Sequence, residues 1–181
     1  MNYPNKKKSF NKSISYGNRG MSLEYDINNS NKYYLENDIA IIHKKPTPVK
    51  VINLNYKTNK IDEAYYEIPS TTDYNGIYKG KYIDYDAKET NSKTSFPISN
   101  IHKHQIDHLI KVKNHGGISF LIIRFNSLNE TYLFETKYLE EFINNETRKS
   151  IPYNYIKEKG YLIEESYYPR IKYIEILDKI I

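Results

Sequence analysis

The sequence predicts a mixed α/β domain built around one core. Three observations carry this. Stripes with the helical period and runs with the strand period follow one another in the order helix, several strands, helix, strands, helix. The chain has 181 residues, which suits one domain better than two, and its 39% hydrophobic content is enough to fill one core. No internal repeat and no Pro- or Gly-rich linker divides it.

The elements follow in chain order. Leu23, Ile27 and Tyr34 share one helical face, predicting a helix over 22–36. Residues 39–42 are short, apolar and β-branched and read as a strand. Pro46 and Pro48 bend the chain before a second strand over 49–54. Residues 57–63 are polar with no helical stripe and suit a hairpin excursion that leaves the body, with a returning strand over 64–68. Asn75-Gly76 and Lys79-Gly80 are turn signals, and 82–89 then alternates as a strand. Asn100 can cap a helix to about Lys113, which His115-Gly116-Gly117 would stop. Residues 118–125 read as a buried central strand, 131–134 as its neighbour and 138–143 as a short helix. Segment 148–166 gives no clear pattern, and 171–181 fits a strand or a helix equally.

Composition and charge narrow the function. The chain has no cysteine, which excludes disulfide scaffolds, thiolate zinc sites and cysteine nucleophiles. Its 20 tyrosines, with many Asn, Lys and Ile, read as a compositional bias, so no single surface Lys or Asn carries weight alone. The net charge of +5 is located. Lys6, Lys7, Lys8, Lys12 and Arg19 give residues 1–20 the whole excess, and the remainder is neutral. This stretch lacks apolar surface to fold alone and reads as a disordered basic arm that contacts phosphates or acidic membrane surfaces, or as a merely solvated tail. No apolar run follows the basic residues, so secretion is not expected, and the apolar run near 118–123 is too short to span a bilayer. A cytoplasmic protein is expected. No Walker-type phosphate loop, serine elbow or aromatic RNA-binding signature is present.

The chemistry centres on strand 82–89. Ile83, Tyr85 and Ala87 share one face, and Tyr82, Asp84, Asp86 and Lys88 share the other. Asp86 beside Lys88 could be an ordinary surface ion pair. Asp73 adds a second acid, because a hairpin would set it opposite the Asp86 and Lys88 end. Two carboxylates in one place repel unless a divalent cation lies between them. Magnesium commonly takes one or two carboxylates plus water and substrate phosphate, and it can polarise a phosphoryl oxygen. Lys88 would then orient the attacking water or stabilise the added negative charge. Gln105 lies on the apolar stripe of Ile101, Leu109 and Val112 and needs a partner, either backbone or a metal-bound water. His104 and His108 share a helical face, but a zinc site there lacks further ligands nearby, so exposed or phosphate-contacting histidines are the preferred reading.

The run NRGMSLEYDINNSNKYYLENDIAIIHKKPTPVKVIN resembles the N-terminal half of the RecU Holliday-junction resolvases. The run STTDYNGIYKGKYIDYDAKETNSKTSFPISNIHKHQ resembles their catalytic core, and YPRIKYI their end. The resemblance covers Arg19 to the C-terminus. It implies a restriction-endonuclease-like fold, a mixed central sheet flanked by helices with a protruding β stalk at about 55–68. It implies a nuclease domain over 21–181, with metal ligands Thr71, Asp73, Asp86 and Gln105 and a transition-state lysine at Lys88. It also implies magnesium, with manganese as a substitute, a homodimer, and contact with the RecA-type recombinase and branch-migration machinery. The chain departs from the family at Asp86, where many members carry Glu. Its stalk is short and acidic at Asp62 and Glu63.

The resulting expectation is a magnesium-dependent endonuclease for four-way DNA junctions in recombination and repair. Asp73, Asp86 and Lys88 are the catalytic set. Lys6, Lys7, Lys8, Lys12, Arg19, Lys44 and Lys45 are candidate phosphate contacts. The alternatives are a non-catalytic junction-binding regulator of the recombinase and a nuclease of similar fold for linear duplex. One acid-acid-lysine set per chain favours a two-fold dimer, for which 39–42 is a candidate interface segment.

Overall fold

The computed structural model describes residues 21–66 and 71–181. The basic arm, with Lys6, Lys7, Lys8, Lys12 and Arg19, lies outside the described residues, as do residues 67–70. Helix α1 (Met21–Glu36) leads into strand β1 (Ile41–Lys44). Two strands, β2 (Val49–Asn55) and β3 (Lys60–Tyr66), form the excursion. The hairpin β4 (Tyr74–Tyr78) and β5 (Lys81–Thr90) follows, then β6 (Ser95–Pro97) and a 3-10 turn, Ile98–Asn100. Helix α2 (Lys103–Asn114) precedes β7 (Ile118–Phe125), β8 (Glu130–Glu135) and α3 (Thr136–Asn145). Strand β9 (Ser150–Pro152), α4 (Tyr153–Lys159), β10 (Tyr161–Leu162) and α5 (Ile174–Ile180) close the chain.

The expected mixed sheet flanked by helices is present. Its strand order is β1-β4-β5-β7-β8-β10. Strands β5 and β7 run parallel, and every other neighbouring pair is antiparallel. Strands β6 and β9 form a separate pair. Alternation along β7 builds a core on each face. Phe120 and Ile122 pack with Leu23 and Ile27 of α1 and Leu177 of α5. Leu121 and Ile123 pack with Leu109 of α2 and Leu139 of α3. Each such buried side chain stabilises the fold by roughly 1.5–3 kcal/mol relative to an exposed one.

Several tyrosines turn out to be core. Tyr85 stacks between Tyr74 and Phe120, with ring centroids 4.9 and 4.8 Å apart. Buried hydroxyls need partners. Tyr85 donates to Tyr173 at 3.2 Å, the Asn31 amide donates to Tyr85 at 3.1 Å, and Tyr173 donates to Asn31.

The excursion is a hairpin that begins at Val49, earlier than the stalk expected at about 55–68, and every residue of β2 and β3 except Asn55 is exposed. Elsewhere the structure corrects local readings. Asn75-Gly76, expected as a turn, lies inside β4. Gly76 is there for close approach, since a Cβ would lie 2.0 Å from the Ile41 carbonyl oxygen of β1. The real hairpin turn is Lys79-Gly80, with φ of 47° and 74°. Helix α2 starts after the 3-10 turn and is capped at His102, not Asn100. The unclear segment 148–166 resolves into β9, α4 and β10, each seven residues or shorter. The undecided C-terminus is the helix α5.

Candidate active site

Strand β5 separates two environments. Ile83 and Tyr85 enter the tyrosine core, while Asp84 and Asp86, both 0% exposed, point to the other face, toward α2. Lys88 continues that second face, and its side chain is 17% exposed. The β4–β5 register pairs Tyr74 with Tyr85 and Asn75 with Asp84. Extended by one residue, that register sets Asp73 opposite Asp86. There Asp73 Oδ2 accepts the backbone N–H of Ala87 at 3.2 Å, so a side chain continues the ladder where β4 ends.

Both carboxylate oxygens of Asp86 are buried and accept no hydrogen bond. The Lys88 ammonium stands 2.8 Å from Asp86 Oδ2, an ion-pair distance without hydrogen-bond geometry. Burial pushes the Asp86 carboxyl up to about 8; neighbouring Asp73 pushes the same way and Lys88 opposes. Two acids share one lysine here, so a hard divalent cation would suit the negative charge that remains. Among the described residues no cluster of three or more His, Cys, Asp and Glu is placed to hold a metal. Asp73 and Asp86 are two carboxylates, a number that would suit magnesium completed by water and phosphate.

The other expected ligands have partners of their own. Gln105 is buried, and its Oε1 accepts the N–H of His102 at 3.1 Å, closing the first turn of α2. Thr71 is exposed, and its hydroxyl accepts from Lys45 at 3.1 Å. His104 stacks on His102 with centroids 5.5 Å apart, while His108 Nε2 meets Asp84 Oδ2 at 3.0 Å, so the two histidines face different partners. Lys44, expected to meet phosphate, pairs with Glu24 and keeps 45% of its side chain exposed. Lys45, expected to do the same, is turned inward: its ammonium lies 2.7 Å from Asp84 Oδ2, and its side chain is 15% exposed.

Asp84 is the buried acid to which the sequence assigns no role. It shares a strand face with Asp86 and Lys88, and that parity was the signal available. A cleft of about 430 Å³ opens beside Lys88, lined also by Ala87, Glu89, Thr90, Asn91, Asn100 and Asn126. Behind it, Arg124 joins Asp26 at 2.9 Å and Glu165 at 3.0 Å. Its Nε donates to Thr131 at 3.1 Å.

No helix among the described residues is long and apolar enough to cross a membrane. The family model described as "Recombination protein U" matches residues 18–179. A Staphylococcus epidermidis protein called Holliday junction resolvase RecU is 50% identical, aligned over 100% of this chain and 96% of its own length. A protein of the same name from Geobacillus sp. (strain WCH70) is 50% identical over 96% of this chain and 92% of its own. A third, from Staphylococcus aureus, is 48% identical over 100% and 96%. Among solved structures, Hjc of Archaeoglobus fulgidus, a Holliday junction resolvase, is 10% identical, covers 79% of this chain and 95% of its own, and superposes with a TM-score of 0.46.

Proposed function

This chain belongs to the recombination protein U family, and we propose that it is a Holliday junction resolvase, a divalent-metal-dependent endonuclease. It hydrolyses one phosphodiester in each of two strands of like polarity, in recombination and repair. The observation that carries this reading is the buried Asp86 carboxyl with Asp73 opposite it and Lys88 at 2.8 Å. A pure junction binder has no need of two acids and a lysine gathered beside a cleft.

Asp73 and Asp86 would hold magnesium or manganese, with Thr71 and Gln105 in support. The cation would polarise the scissile phosphoryl oxygen and lower the pKa of water. The protein's own residues do the rest. Lys88 reaches the cleft and places a positive charge where the phosphate gains negative charge. Asp73 is fixed by the Ala87 N–H, so it does not have to be ordered as substrate enters. The asparagine-lined cleft beside Lys88 offers amide donors to the sugar-phosphate backbone.

One such set per chain makes one cut. A two-fold homodimer supplies two sites under the symmetry that the junction approximates. The exposed Ile41 on β1 and Ile77 opposite it give the edge of the sheet an apolar face suited to self-association. Family resemblance extends the reading to the RecA-type recombinase and branch-migration machinery as neighbours on the junction, and to the cytoplasm as the place of work.

The test is incubation with a synthetic four-way junction and with linear duplex, each with magnesium or chelator. Paired nicks in the junction alone, and only with metal, are expected. Equal cutting of linear duplex would favour a general nuclease. Binding without cutting under any divalent metal would favour the regulator. A mixed dimer of wild-type and Lys88→Ala chains, on a junction held in a supercoiled plasmid, should leave single nicks.

A further inference from the structure

Asp84 and Asp86 are two buried acids, two residues apart, on one face of one strand. The protein treats them oppositely. Neither Asp86 oxygen has a hydrogen bond of good geometry, whereas both Asp84 oxygens do. Asp84 Oδ2 receives the Lys45 ammonium at 2.7 Å, the Tyr82 hydroxyl at 2.7 Å and His108 Nε2 at 3.0 Å. Asp84 Oδ1 receives the Thr72 hydroxyl. An acid whose two oxygens both have partners in the protein is an anchor, because it has little left to attract a ligand.

What it anchors is specific. Lys45 is the first residue after β1, where the chain leaves for the excursion, and 71–73 is where the chain returns. The Lys45 ammonium also donates to Thr71 at 3.1 Å and to Thr72 at 2.5 Å. The Lys45 backbone N–H donates to the carbonyl of Asp73 at 2.7 Å. One buried carboxylate therefore ties both roots of the excursion to the strand that carries Asp86 and Lys88. The segment it holds ends in Asp73.

We propose that Asp84 is a positioning residue: through Lys45 and Thr72 it clamps both roots of the β2–β3 excursion and thereby sets Asp73 against Asp86. This rests on the reading of Asp73 and Asp86 as the metal pair. It reassigns Lys45 from a phosphate contact to the cation of the clamp. Residues that orient metal ligands without touching the metal commonly change metal affinity about 10–100-fold when altered.

The experiment uses the full chain without DNA, stripped with chelator and then titrated with manganese by calorimetry. Asp84→Asn keeps the shape of the side chain and removes its charge. Lys45→Met keeps the stem and removes the ammonium. Both should weaken manganese binding about 10–100-fold. Amide hydrogen exchange at 71–73 should quicken in both, with α3 and α5 protected as in wild type. Thr72→Ser should behave as wild type and Thr72→Val as the Asp84 variant. In chelator, the salt slope of junction binding should be the same for Lys45→Met as for wild type. Folded variants with wild-type manganese affinity and wild-type exchange at 71–73 would overturn the proposal. So would a salt slope smaller by about one in Lys45→Met, which returns Lys45 to the phosphates. A merely structural Asp84 would quicken exchange throughout the sheet and leave the affinity of the folded fraction unchanged. If the wild-type chain binds no manganese at all, the metal reading fails, and exchange at 71–73 alone decides the clamp.

Discussion

Asp73 reaches across the end of the β4–β5 ladder and accepts the N–H of Ala87, which places one carboxylate beside the strand position that carries another, Asp86. The two acids are brought together by strand pairing, and Lys88 by strand alternation. A hairpin is therefore sufficient to assemble the set.

Lys88→Ala and Asp73→Asn should each lower junction cleavage by about 10²-fold or more, the order expected for removing one group that stabilises transition-state charge. Junction binding in chelator should survive, since affinity comes from many phosphate contacts. Near wild-type cleavage by either variant in magnesium would remove that residue from the site.

The raised Asp86 carboxyl has a consequence for stability. Its folded value, about 8, lies above the ordinary 3.8, so between these values the folded protein holds a proton that the unfolded chain has released. The resulting stabilisation is complete below the ordinary value and is lost as pH rises through about 8. In chelator, the melting temperature of the wild-type protein should fall from pH 5 to pH 9 more steeply than that of Asp86→Asn. Saturating magnesium should flatten the wild-type curve. Parallel curves for the two proteins would show that Asp86 is ionised throughout.

Much of this site was legible because its logic is local. The parity of 82–89 puts Asp86 and Lys88 on one face, and Lys79-Gly80 marks the turn that returns Asp73. Asn75-Gly76 misled because glycine has two uses, turning and close approach, and only the neighbouring strand β1 decides between them. Strands β9 and β10, of three and two residues, were invisible because such short segments are stabilised by their pairing partners and not by their own pattern. The same parity puts Asp84 on that face but gives it no role. Its partners come from β1, the 71–73 segment and α2, which no spacing rule joins.

The charge of the arm can be tested directly. Deleting residues 1–18 removes Lys6, Lys7, Lys8 and Lys12. If all four meet phosphate, the salt slope of junction binding should shrink by roughly 3 to 4, at about 0.9 per contact. An unchanged slope would make the arm a bystander.

Arg124 is a structural charge. It is 9% exposed, with Asp26 at 2.9 Å, Glu165 at 3.0 Å and Glu89 at 4.0 Å. Arg124→Met would leave Asp26 and Glu165 with the half-exposed Arg170 as their remaining shared cation, at 3.4 and 3.9 Å. The expected loss is about 3–5 kcal/mol, read from the urea midpoint. A loss below about 1 kcal/mol would mean that solvent already screens the cluster, as at exposed pairs.

Gly76→Ala should destabilise the sheet by about 1–3 kcal/mol, the usual range for overpacking. The added carbon would lie 2.0 Å from the Ile41 oxygen and 2.6 Å from Ile42 Cα, so β1 must move aside. Thermal unfolding measures it, and a wild-type melting temperature would show that β1 is free to shift.

Because β5 writes the tyrosine core and the acidic site on alternate residues of a single strand, the two are readable only in one frame. Inserting or deleting one residue between Lys81 and Asp86 would exchange the faces, turning the phenols toward the cleft and burying the acids among hydrocarbon. Length variation among natural relatives should therefore avoid this strand altogether. It should collect where the chain is exposed on every side, at the tip of the excursion around 56–59, which can lengthen or shorten without disturbing the phase of either surface.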